Sequence, residues 1–216
     1  MKYEICKDMF IDTAFGRLFR IKALVKIEGR CEIGDLGGYI AAEKNLAQDG
    51  DAWVSGNAQV SDDARVSDDA WVYGNAQVSD DARVYGNAWV YGDAWVYGDA
   101  WVYGDAWVYG NAQVSDDARV YGNALVYGNA LVYGNALVYS NARILWVSQV
   151  GSANGTLTAF LDKNNKIIVT RDCFIGTLAE FSKAVKQTHK NNKIAREYAL
   201  LIKFIKLRLT QPKVKP

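Results

Sequence analysis

Between Asp51 and Trp146 the hydrophobic positions return every six residues. Each unit reads Asn/Asp-Ala-x-Val-Tyr/Ser-Gly/Asp, as in Asp51-Ala52-Trp53-Val54-Ser55-Gly56. Sixteen units follow in phase without insertion; the alanine never varies, and the aliphatic slot runs Val54, Val60, Val66 and onward to Val138, then Ile144. Ala-x-Val puts two side chains on one side of a short strand. The Gly/Asp-Asn/Asp pair that follows is a turn tolerant of positive φ. A short strand and a corner every six residues make one side of a coil.

The number of sides follows from the outward slot, sorted three units at a time. One face reads Trp53, Trp71, Trp89, Trp107, Leu125, Arg143; the second reads Gln59, Gln77, Trp95, Gln113, Leu131; the third reads Arg65, Arg83, Trp101, Arg119, Leu137. Apart from a run of identical Trp units at residues 93–104, like residues recur at a spacing of 18. A triangular coil stacks them about 4.8 Å apart as ladders. Residues 51–146 then make about five coils, roughly 25 Å of helix.

The flanks lose the period of six. Residues 1–50 read as a small β cap, with strand-like Tyr3-Glu4-Ile5 and Leu18 to Leu24. Its Gly34-Asp35-Leu36-Gly37-Gly38 stretch reads as a turn rather than a phosphate loop. Such a cap covers unpaired backbone at the coil end. In residues 147–216, Thr156–Leu161 and Lys166–Thr170 flank the turn Asp162-Lys163-Asn164-Asn165 as a hairpin. Thr177-Leu178-Ala179-Glu180 has capping-box spacing and opens a helix with Leu178, Phe181 and Val185 on one face. A second helix, about Ile194 to Leu209, has Ile194, Tyr198, Leu201, Ile205 and Leu209 as its stripe. The expected fold is thus mainly β: a triangular β-helix, a small N-terminal β cap, and a C-terminal hairpin plus two-helix α/β element.

The chain resembles a group of bacteriophage and prophage hexapeptide-repeat proteins, usually left without a function or called polymer-forming. Three stretches carry the likeness: Arg20–Leu24 with Gly34–Tyr39 and Asn45–Gly50; the repeat itself; and Cys173–Leu178 with Phe181, Val185, Thr188 and His189. The N-terminal stretch is also similar to an enterobacterial hexapeptide family that carries a transferase label. Relatives often have Gly where Arg171 or Asp172 stands, and Gly where this chain has Lys190. The resemblance implies a left-handed coil, and trimers formed through its flat sides; it implies no established activity.

Charge is uneven beneath a net +1. Residues 51–146 hold twelve Asp, no Glu and four Arg, giving −8; residues 147–216 hold thirteen cations and four acids, giving +9. The acidic body disfavours duplex nucleic acid. The basic tail, Lys193, Arg196, Lys203, Lys206 and Arg208, lacks interleaved aromatics for base stacking. Met1 to Arg20 has no signal-peptide core and no run of about 18 apolar residues occurs, so a cytoplasmic, non-membrane protein is expected. Cys6, Cys31 and Cys173 lack metal-ligand spacing and fit reduced thiols.

Three chemistries compete. Hexapeptide acyltransferases use a histidine base, but the one histidine, His189, lies outside the repeat; no catalytic residue and no cofactor is assigned. Corner aspartates Asp62, Asp63, Asp80, Asp81, Asp116 and Asp117 form an acidic edge that calcium could neutralise, although Asp is also a good turn residue; no metal is assigned. Trp53, Trp71, Trp89 and Trp107, beside Tyr73, Tyr91, Tyr109 and Tyr127, form an apolar strip. Its expected occupant is another copy of the chain, with a trimer favoured, or a host protein; sugar stacking is the runner-up. A non-enzymatic scaffold is the leading function. The alternatives are an inhibitor of a host factor, by acidic mimicry or ligand sequestration, and an acyltransferase-like enzyme.

Overall fold

The computed structural model describes residues 1–14, 16–140, 144–162, 164–171 and 173–210. Arg143, Lys163 and Asp172, which entered the readings above, lie outside the described residues.

The repeat folds as a β-solenoid with an 18-residue coil. Trp53 pairs in parallel with Trp71, Gln59 with Gln77 and Arg65 with Arg83, each 18 residues on. Three parallel sheets result, each a stack of short strands, running from Trp53–Val54 to Leu125–Val126, from Gln59–Val60 to Leu131–Val132, and from Arg65–Val66 to Leu137–Ser140. Every repeat alanine from Ala52 to Ala136 and every repeat valine from Val54 to Val138 is at most 1 % exposed. Each buried valine contributes about 1.5–3 kcal/mol over leaving it in water. The corners turn through positive φ at Gly or Asp, for example 70° at Gly104 and 57° at Asp80.

The coil starts earlier than the repeat does. β1 (Tyr3–Thr13) and β2 (Gly16–Ala23) form an antiparallel hairpin, and β2 continues onto β3 (Leu36–Ile40). β3 then joins the solenoid in parallel, Tyr39 opposite Gln59, and Leu46 bridges Val66. Among the described residues the second side therefore has six parallel strands where the other two have five. The glycine-rich stretch proves to be strand from Leu36 on. A Cβ at Gly37 or Gly38 would lie 2.7 Å from the Val54 or Ala58 carbonyl oxygen, so close backbone approach explains the pair.

At the other end a four-stranded antiparallel sheet (Ile144–Val150, Gly155–Leu161, Ile167–Arg171, Phe174–Thr177) covers the last coil, with the expected hairpin as its central pair. Phe160, 1 % exposed, belongs to the solenoid core. The Leu131 amide donates to Thr158 Oγ1 (3.1 Å) and Thr170 Oγ1 donates to the Leu131 carbonyl (3.2 Å), satisfying backbone that the last rung would leave unpaired. Helices α1 (Leu178–His189) and α2 (Lys193–Leu209) pack on this sheet. Thr177 and Glu180 make the capping box, with the Thr177 amide donating to Glu180 Oε2 at 2.7 Å. Among the described residues no helix is long and apolar enough to cross a membrane.

Candidate functional site

The outward slots sit on rigid rungs, so their side chains stack as the register dictates. On the first side, Trp89 and Trp107 are parallel with centroids 4.9 Å apart, and Trp71 meets Trp89 edge-on at 5.5 Å. Beside them Tyr73, Tyr91, Tyr109 and Tyr127 form a continuous stack at 4.7, 4.8 and 5.0 Å. Trp146 closes it edge-on at 4.3 Å. Burial pushes the Tyr73, Tyr91 and Tyr109 phenols above their ordinary range. Trp107 and Tyr127 remain 37 % and 41 % exposed.

Trp53 leaves this strip. It is 1 % exposed, against the edge of Tyr3 at 6.5 Å, because the N-terminal hairpin folds over the first rung. The Tyr3 hydroxyl donates to the carbonyls of Leu46 (2.7 Å) and Glu43 (3.1 Å), locking the cap in place. Arg30 ends the strip at Trp71. Its guanidinium sits 5.7 Å over the indole and donates to the carbonyls of Asp51, Asp69 (2.6 Å) and Ala70 (3.1 Å). The exposed strip therefore runs from Trp71 to Tyr127.

The acidic edge is used by the fold itself. Asp62, Asp80 and Asp116 hold the left-handed corner with φ of 54–57°. Asp80 Oδ2 accepts from the Gly98 amide and Asp116 Oδ2 from the Gly134 amide, both at 3.0 Å and both 18 residues on. Asp63 pairs with Lys44, while Asp81 and Asp117 stand exposed. Among the described residues no group of three His, Cys, Asp or Glu is placed to hold a metal ion.

On the third side Trp101 breaks an arginine ladder and is clasped by it. The Arg83 and Arg119 guanidiniums lie 5.2 and 4.6 Å from its ring. Tyr85, Tyr103 and Tyr121 stack at its corner at 4.9 and 5.0 Å. On the second side Trp95 breaks a glutamine ladder and stands 46 % exposed.

In the C-terminal element Lys193, Arg196, Lys203, Lys206 and Arg208 are all exposed on α2. The same outward face carries a second apolar stripe that the core periodicity conceals: Leu200, Phe204 and Leu207, 67 %, 48 % and 78 % exposed. Spacings of four and three would have revealed it had the helix been read for two stripes rather than one. Arg208 reaches back to a hollow with Leu125, Tyr127 and Trp146 at the end of the aromatic strip. His189 ends α1, half-buried, its ring 5.9 Å from Tyr198 and separate from the repeat ladders. Cys31 is buried, which pushes its thiol up, and Cys173 is exposed.

A family model described as YdcK β-solenoid repeat matches residues 58–74, 76–92, 112–128, 118–134 and 124–140. No curated protein matches the chain. The matched windows all lie on the parallel rungs, so over those windows the chain is similar to that repeat, and the likeness is one of β-solenoid architecture.

Proposed function

We propose that this chain is a non-enzymatic scaffold that associates with copies of itself through the first side of the solenoid. The observation that carries the reading is the strip of Trp71, Trp89 and Trp107 with Tyr73 to Tyr127. It is an uncharged aromatic surface spanning four rungs, or roughly 15 Å. Rings already stacked on their neighbours lose little freedom on contact and offer large apolar area. Exposed Asp69, Asp93 and Asp105 rim this side, while Leu200, Phe204 and Leu207 lie among cations on α2. Apolar-on-apolar contact with opposite charge at the rim suits a head-to-tail ring, the contact type of a cyclic trimer. Resemblance at both ends of the chain to phage hexapeptide proteins supports a phage origin, and with it a role in a bacterial cytoplasm. His189 lies apart from the repeat ladders, which favours a scaffold over an acyl-transfer enzyme.

Light scattering behind a sizing column tests this directly. A mass three times the 23.9 kDa chain is expected; a monomer at micromolar concentration overturns the reading.

A further inference from the structure

Trp95 differs from the other tryptophans of the repeat. Trp53 has Tyr3, Trp71 has Tyr73, Trp89 and Trp107 have each other, and Trp101 has two arginines. Among the described residues Trp95 has no ring or guanidinium against it, and at 46 % it is more exposed than Trp107 at 37 %. Its rungs above and below carry Gln113 and Gln77 in direct register. Both side chains are half-buried, and neither carboxamide has a hydrogen-bond partner among the described residues.

The corner beside Trp95 is also unlike the other two. Those are lined by tyrosine stacks; here Ser79 and Ser115 flank Tyr97, leaving a hollow on each side of it. One, of about 270 Å³, is lined by Asp62, Gln77, Ser79, Asp80, Trp95 and Tyr97. The other, of about 420 Å³, lies between Tyr97 and Tyr133 over Gln113 and Ser115.

We propose that this second side binds a neutral saccharide, with one sugar ring stacked on Trp95. The C–H face of a pyranose is the complement of a bare indole. The free carboxamides of Gln77 and Gln113 can donate to and accept from vicinal hydroxyls, and Asp62 and Asp80 can accept further hydroxyl protons. The set from Gln77 to Gln113 spans two coil steps, about 10 Å, room for two linked sugars. The nearby charges are carboxylates, which disfavours phosphates, sulfated glycans and nucleic acid at the same spot. The site is on a different side from the proposed assembly strip, so the two readings stand or fall separately.

The test is calorimetric titration of the full chain with neutral hexasaccharides of glucose, galactose, mannose and N-acetylglucosamine, with dextran sulfate as the anionic control. At least one neutral glycan is expected to bind at millimolar Kd or better. Trp95→Gln, which completes the Gln77–Gln113 ladder and so preserves the fold, is expected to weaken it at least tenfold, while Trp107→Ser leaves it unchanged. The proposal is overturned by failure of every neutral glycan to bind, by binding that survives Trp95→Gln, or by preference for dextran sulfate.

Discussion

Trp89 and Trp107 lie face to face, 4.9 Å between centroids and 3° from parallel, on backbones paired residue for residue. The indole spacing is the strand spacing. Because the rungs are fixed by their buried Ala and Val, Trp89 and Trp107 need no adjustment to stack.

That preorganisation makes the strip separable from the fold. Replacing Trp71, Trp89 and Trp107 together with serine is expected to reduce any oligomer to the 23.9 kDa chain, with the far-ultraviolet β signature retained. Survival of the oligomer would move the interface off the first side.

The corners predict an unusual ranking at Gly98. Its φ is 69°, and an added Cβ would sit 2.9 Å from the Asp116 amide nitrogen. Gly98→Ala places a side chain in the left-handed region and is expected to cost about 1–2 kcal/mol. Gly98→Asp should cost less, because its carboxylate can accept from the Asp116 amide as Asp80 already accepts from Gly98 at 3.0 Å. Urea unfolding of the two variants gives the order; Asp at or below Ala would refute it.

Inside the coil the two slots respond differently. Val96→Ala removes two methyl groups from a site 0 % exposed, and is expected to lose about 2 kcal/mol. Ala100→Val adds the same bulk to another 0 % exposed position, and is expected to lose about 1–3 kcal/mol by overpacking. A neutral or stabilising Ala100→Val in thermal melts would show free space that a filled core denies.

Alkaline pH should first stabilise the protein and then destabilise it. Burial pushes Lys2 down to about 8, below the ordinary lysine value of about 10.4. Between those values the unfolded chain binds more protons than the folded one, so stability rises with pH. Burial raises Tyr3 and the ladder phenols Tyr73, Tyr91 and Tyr109. Above about 10 the unfolded chain therefore loses protons that the folded one keeps, and stability falls. Burial also raises the Cys31 thiol, which opposes that rise above about 8.5; chemical denaturation from pH 7.5 to 11 should show a maximum between about 8.5 and 10, with the rising limb lost in Lys2→Met.

By itself the sequence determined the coil. A period of six with Ala and Val always two apart admits one pattern of inward side chains, and like residues at 18 assign each outward slot to a side. It also determined the Thr177–Glu180 capping box and the core stripe of α2, since these depend on neighbours three or four residues apart. Tertiary structure decided what contacts distant in the chain control. Trp53 repeats like Trp71 but is covered by Tyr3, 50 positions away, and Arg30 ends the strip through carbonyls of the first two coils. The extra rung at Tyr39 pairs with Gln59, 20 residues on rather than 18, so the repeat spacing does not predict it; a strand joins a sheet by backbone hydrogen bonds that carry no side-chain period. Leu200, Phe204 and Leu207 are spaced as a helical stripe in the sequence, but that this stripe faces outward followed only from Tyr198, Ile205 and Leu209 being seated against the sheet. Burial is a property of what lies opposite, and the chain pattern specifies what lies opposite only where it repeats.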